Sequence, residues 1–298
     1  MVPSPRYVRL TELAQRAFGH GRLGRALHLF EVAEEEARNS GDRELADRAF
    51  CNRCVVLAEL DRLSLVSGEL KHILMRSRDP FTAMMAAYYT SQAYMSEENI
   101  PRALAYARRA SDLADACGQS RAVAVATNWH GALALKESNF QEAADCFHKA
   151  IELDGERAED PMGNAITKDN LGYCWMCTGR PADGIRLCSE AAAVLENEGA
   201  RQYLAEVYQD LCYGALQEGR FQDARAWGEK ALALAREFEH PGVERNTLML
   251  LADAAMDEGD ESVADDYLGR LAAHYPDFQG MKTFFQAFNV REVINLKA

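Results

Sequence analysis

Two cysteine pairs have the spacing of reactive thiols, Cys51-Asn-Arg-Cys54 and Cys174-Trp-Met-Cys177. Taken together, four thiolates at that spacing would suit a tetrahedral zinc ion, and either pair alone would suit dithiol exchange. The histidines give no such pattern. His20, His28, His72, His130, His148, His240 and His274 never stand four apart, and none belongs to an H-E-x-x-H run. Phosphate-cradling G-x-x-x-x-G-K-[ST], dinucleotide-binding G-x-G-x-x-G after a strand and the nucleophile motif G-x-S-x-G are all missing. The sequence therefore predicts no catalytic residues, no metal and no cofactor. What the cysteines do depends on the elements that carry them.

Those elements are helices. From Asn170 to Leu195 the chain reads NLGYCWMCTGRPADGIRLCSEAAAVL. Leu171, Gly172 and Trp175 lie on one helical face, Gly179-Arg180-Pro181 breaks it, and Gly184, Cys188 and Ala191 then recur at helical spacing. Small side chains on the second helix let it approach the first closely, so the stretch reads as a helical hairpin. The chain of 298 residues has only eight prolines and twenty glycines, few for a strand-and-turn protein, which makes the class all-α. Its formal net charge of −13 disfavours nucleic acid and anionic membranes as partners. Arg6, Arg9, Arg16, Arg22 and Arg25 form the one basic cluster, read as a solvated face.

The hairpin repeats. The residues opening each second helix are Leu23, Leu63, Ile100, Phe140, Pro181, Phe221 and Glu261, separated by 40, 37, 40, 41, 40 and 40 residues. Nine residues before each stands Ala14, Cys54, Ser91, Gly131, Gly172, Cys212 or Ala252, a row of small side chains where paired helices pack most tightly. Gly21, Gly179, Gly219 and Gly259 mark the turns, with Asp61, Glu98 and Ser138 in their place elsewhere. Cys54 belongs to the small-residue row, so its thiol reads as packing. Three repeats separate the two cysteine pairs, on the order of 30 Å at 8–10 Å per helix, which excludes a shared zinc ion.

The order L-G-x2-aromatic, glycine turn, small-x3-medium-x2-Ala resembles the tetratricopeptide repeat in a longer variant of about 40 residues. The resemblance implies a right-handed α-solenoid of seven two-helix repeats, at about 7–40, 43–78, 80–118, 120–156, 161–198, 200–239 and 241–278. It also implies a non-catalytic protein, which binds a peptide or protein segment in a concave groove. In that family the groove is lined by residues eight and twelve before the second helix, here including Tyr88, Gln92, Asn128, Asp169, Tyr173, Gln209 and Tyr213. Asn170, one position on from Asp169, resembles groove asparagines that hold a ligand's backbone amides. Family members that bind an acidic peptide C-terminus use lysine and arginine there. In this chain Lys136 and Lys168 are opposed by Asp169 and Asp210, which favours a neutral or basic, partly aromatic ligand. The alternative reading is a regulatory receptor that responds to a small peptide or metabolite.

The segment 281–298, with Phe284, Phe285, Phe288, Val290, Val293 and Ile294, departs from the repeat and is expected to be a capping helix for the solenoid of residues 1–280. The rival expectation for it is a docking or dimerisation segment. The first residues, MVPSPRYVRL, lack a basic stretch followed by an apolar run, and nowhere do about 20 apolar residues follow one another, so the expected compartment is the cytoplasm, with reduced thiols.

Overall fold

The computed structural model describes residues 3–20, 22–118, 120–155, 160–275, 278, 283 and 294–297. Among the described residues fourteen α-helices follow one another and no strand occurs: α1 Pro5–Gly19, α2 Leu23–Asn39, α3 Arg43–Glu59, α4 Ser67–Arg76, α5 Pro80–Ser96, α6 Ile100–Asp115, α7 Ser120–Lys136, α8 Phe140–Asp154, α9 Pro161–Cys177, α10 Pro181–Asn197, α11 Arg201–Gln217, α12 Phe221–Glu237, α13 Pro241–Asp257 and α14 Glu261–Leu271. None is long and apolar enough to cross a membrane.

The starts follow from capping chemistry. Asp42, Asp79, Asp160 and Asp260 each accept a hydrogen bond from the backbone N–H three residues on, and prolines open α5, α9, α10 and α13, where a missing N–H costs nothing. The second repeat opens its second helix differently, with a 3-10 turn at Leu63–Val66 before the ten-residue α4. Between the paired helices the backbone turns left-handed. Gly179, Gly219 and Gly259 take φ of 84°, 69° and 76°, and Asp61, Glu98 and Ser138 adopt 51°, 56° and 60° without glycine's freedom.

The small-residue row works as a close contact between backbones. A Cβ added to Gly172 on α9 would stand 2.7 Å from Cys188 Sγ and 2.8 Å from the carbonyl oxygen of Gly184 on α10, while one added to Gly184 would stand 2.4 Å from the carbonyl oxygen of Gly172. In the third repeat Ser91 plays the part with a hydroxyl, donating to the Ala103 carbonyl at 2.6 Å and accepting from Trp129 Nε1 at 2.8 Å. Helices contact their sequence neighbours from α1 to α3, from α4 to α6 and from α8 to α14, and first helices also touch the first helix of the next repeat, α3 with α5, α9 with α11 and α11 with α13.

The chain divides into two compact units, residues 1–133 and 134–298, with the division inside α7. The capping helix expected over 281–298 falls almost wholly outside the described residues. Its last described stretch, Ile294–Lys297, is not helical. Ile294 packs with Phe278 and Tyr275 against the buried cluster of Leu232, Leu248, Leu251, Leu268 and Leu271, and the residues after it run to the face of α9, α11 and α13.

Candidate functional site

The sequence-derived site residues fall in both units. Tyr88, Gln92 and Asn128 belong to the first. Tyr88 is half-buried, edge-on to Tyr89 at 5.3 Å and to Trp129 at 6.1 Å, and burial raises its phenol pKa. Gln92 follows one turn along α5, and Asn128 precedes Trp129 on α7. The adjoining repeats of this unit line a cleft of about 200 Å³ with Gln15, Phe18, Phe30, Asn52, Val55, Met85 and Tyr89. Among the described residues that line it there is no carboxylate.

Asp169, Asn170, Tyr173, Gln209 and Tyr213 belong to the second unit, and here the structure brings most of them together. Tyr173 is wholly buried, its ring 5.6 Å from that of Tyr213 and 6.1 Å from that of Phe140. Gln209 accepts from Thr247 Oγ1 at 3.5 Å. Asp169 is buried on α9, and its backbone carbonyl accepts from Cys188 Sγ at 3.6 Å, tying its position to the tight α9–α10 contact. Asn170 is half-buried.

Against these residues lies the chain's own tail. The N–H of Leu296 donates to Tyr173 Oη at 2.9 Å and its carbonyl accepts from Asn246 Nδ2 at 3.3 Å. Asn295 donates from Nδ2 to the Leu135 carbonyl at 2.7 Å and to Ser138 Oγ at 3.1 Å, while its Oδ1 accepts from the Lys297 N–H at 3.0 Å and sets the local turn. Lys297 reaches between α9 and α11, its Nζ 2.8 Å from Asp210 Oδ2, 3.1 Å from Asp169 Oδ2 and 3.5 Å from Glu206 Oε2. The ammonium also stands 5.9 Å from the centre of the Tyr173 ring.

This is a costly arrangement for charged groups. The Lys297 side chain is 9% exposed and that of Asp210 0%, in a protein class where lysine and aspartate are almost never buried without a partner. Burial pushes the Asp210 carboxyl well above its ordinary range, and the ammonium of Lys297 opposes that rise. Burial alone would favour the neutral amine of Lys297, but Asp169, Asp210 and Glu206 outweigh it and hold the ammonium well above lysine's ordinary value. The site is therefore a seat for one positive charge.

Residues that carry this seat were only partly legible in the sequence. Asp210 occupies the row of Asn170, eleven before the second helix, and Glu206 and Asn246 occupy a row fifteen before it. That row continues the groove face by one helical turn beyond the twelfth position, the extension that would have found them.

The cysteine pairs sit where a thiolate is disfavoured. All eight cysteines are unpaired with one another. Burial pushes Cys54 to about 12 and Cys177 to about 11, and raises Cys51 and Cys174 as well, which disfavours the thiolate that exchange needs. Among the described residues no cluster of three or more histidine, cysteine or carboxylate side chains has the arrangement of a metal site.

No protein-family model and no curated protein matches the chain. Solved structures do. The apo form of RapI superposes with a TM-score of 0.67 at 10% identity, over 94% of this chain and 82% of the other. A STAND protein with a tetratricopeptide repeat sensor, PH0952 from Pyrococcus horikoshii, matches with a TM-score of 0.62 at 17% identity, over 97% of this chain and 45% of its own length. The fold is that of the tetratricopeptide-like helical repeats. NprR in complex with its cognate peptide NprX shares it, with a TM-score of 0.64 at 12% identity over 93% of this chain and 81% of NprR.

Proposed function

We propose that this chain is a non-catalytic peptide-binding protein that works in the cytoplasm and receives its ligand on the first-helix face of its repeats. The single observation that carries this reading is the seating of Ile294–Lys297. A non-helical segment that ends in a turn has its backbone N–H and C=O read by the side chains of Tyr173 and Asn246, and its one charge neutralised by Asp169, Asp210 and Glu206. Side chains that hydrogen-bond to a ligand's backbone give affinity with little dependence on its sequence, and the pockets between them give specificity. The acidic lining favours a neutral or basic, partly aromatic segment, and the rigid phenols of Tyr173 and Tyr213 supply amphipathic contact area.

The kinship of fold with NprR, whose structure holds a cognate peptide, supports the same reading and favours the regulatory form of it, in which peptide binding alters what the repeats present to a partner. Displayed peptide libraries panned against the full chain test it. Binders should compete with one another and be weakened by changes at Tyr88, Gln92, Asn128, Asp169, Asn170, Tyr173, Gln209 or Tyr213. Panning that returns no peptide dependent on these residues would end the proposal.

A further inference from the structure

The groove of the second unit holds a segment whose chemistry says what else would fit there. Resting on the peptide-binding reading, we infer that Asp169, Glu206 and Asp210 form a lysine-reading subsite for peptides carrying an aliphatic–lysine pair. Ile294–Lys297 is the chain's own occupant of it, which an incoming segment of the same kind has to displace.

The first support is the charge. Asp210 is fully buried and Asp169 nearly so, Asp210 Oδ2 meets only the Lys297 ammonium, and Asp169 Oδ1 and Asp210 Oδ1 are buried without hydrogen-bond partners. Two carboxyl groups buried beside each other are accommodated either by a proton or by a cation, and here a cation is supplied by a segment 128 residues away from Asp169. The second support is how little of the seat is nonspecific. Leu296 is 6% exposed, its N–H and C=O both taken by side chains of the groove, so the subsite before the lysine accepts an aliphatic residue and reads its backbone.

A simple cap would look different. Covering the apolar end of a repeat stack needs apolar area, which Ile294 already supplies against the α12–α14 cluster. Burying Lys297 among carboxylates adds little net stability, because the desolvation of the charges consumes most of their attraction, whereas it strongly penalises the wrong side chain. Such a cluster selects a ligand. It also makes a covalently attached segment a strong competitor, since its docking is intramolecular while that of a free peptide is not. A free peptide then sees only the fraction of molecules whose tail has left, and its apparent affinity falls by that fraction.

The probe is a fluorescent peptide Ile-Asn-Leu-Lys with both ends blocked, titrated into the full chain and into full-chain variants. Lys297→Glu reverses the charge that holds the tail and leaves the pocket intact. The released variant should bind the probe at least tenfold more tightly than wild type, and adding Asp169→Asn to it should remove the gain. A probe with glutamate for lysine should bind neither. In wild type the Leu296 amide should exchange slowly with solvent, and in Lys297→Glu at the rate of a free chain.

Equal affinity of wild type and Lys297→Glu for the probe, with unchanged helical signal, overturns the inference. So does a protected Leu296 amide in Lys297→Glu. A wild-type dimer that Lys297→Glu dissolves would assign the tail to a second copy and overturn the intramolecular arrangement. Library panning separates this from the broader reading: peptides lacking an aliphatic–lysine pair that bind the same face, with the probe failing, remove the lysine subsite and leave peptide binding standing.

Discussion

The two units use one repeat scaffold for opposite surface chemistry. In the first, the rows eight and twelve before the second helix offer Thr11, Gln15, Cys51, Val55, Tyr88 and Gln92, all neutral, beside a partly apolar cleft of about 200 Å³, and the neighbouring rows add Glu12 and Arg48, the latter paired with Asp79. In the second, the same rows and the turn beyond them bring Asp169, Glu206 and Asp210 onto one cation. The small-residue row, by contrast, does the same work in both, as Ser91 on Ala103 and Gly172 on Gly184 illustrate. Positions that set helix separation are fixed by sterics, while positions facing the groove are free to acquire different ligands. A repeat protein thus changes its binding chemistry without altering its packing.

The sharpest way to break the comparison is to attack the shared row in one unit only. Gly172→Leu drives a side chain into the Gly184 carbonyl and Cys188 Sγ and should cost about 3 kcal/mol, with faster hydrogen exchange across α9 and α10 and little change in α1–α6. An unchanged melting temperature would refute the assigned register. Next in size is the acidic seat. Asp210→Asn should cost tail docking about 2 kcal/mol, read from Leu296 amide protection, because a charge-assisted contact becomes a neutral one. Any equivalent loss after Asn52→Ala, in the neutral groove of the other unit, would mean that the two faces are not chemically distinct.

The turns do not follow that division. Asp61 and Glu98 in the first unit and Ser138 in the second turn left-handed without glycine, whereas Gly179, Gly219 and Gly259 in the second have its freedom. Glu98→Gly should therefore stabilise the protein by about 0.5–1 kcal/mol and Gly179→Ala should destabilise it by about 1 kcal/mol, both measured by denaturant titration. The pH dependence follows from Lys297. Its pKa in the docked tail is raised, so its contribution is fully present below lysine's ordinary value and is lost only as pH rises through the higher, docked value. The affinity gap between wild type and the Lys297→Glu variant for the lysine probe should accordingly be the same at pH 7.5 and pH 9.5. Smallest of all is Glu190→Ala. This half-exposed residue pairs with Arg186 and Lys168 on the surface, and its loss should shift peptide affinity by less than about 0.5 kcal/mol.

Fold was more legible than site because packing constrains every repeat and recognition constrains only some. Leu23, Ile100, Phe140, Pro181, Phe221 and Glu261 each open an α-helix in the structure, since caps, breakers and small residues all point to the same register. Tyr173 and Asp169 could be placed on the groove face by spacing alone. Their partner could not, because no local pattern ties Lys297 to Asp210. Tyr173→Ala is not a clean probe of binding, because Tyr173 is wholly buried between Phe140 and Tyr213 and removing its ring would also open a cavity. Tyr173→Phe, which keeps the ring and removes the hydroxyl that Leu296 donates to and that also meets Cys177, should cost tail docking about 1 kcal/mol.

The separation of Asn295 from its partner Leu135, 160 residues along the chain, bears on how the molecule folds. Helical hairpins assemble from neighbours a few tens of residues apart and so form quickly, whereas a contact of such long span cannot form until both ends of the second unit exist. Refolding should then proceed in two stages, a rapid gain of helical signal as the repeats stack, followed by a slower latching of the tail that leaves that signal unchanged. During the interval between them the acidic seat stands open to any basic segment in solution.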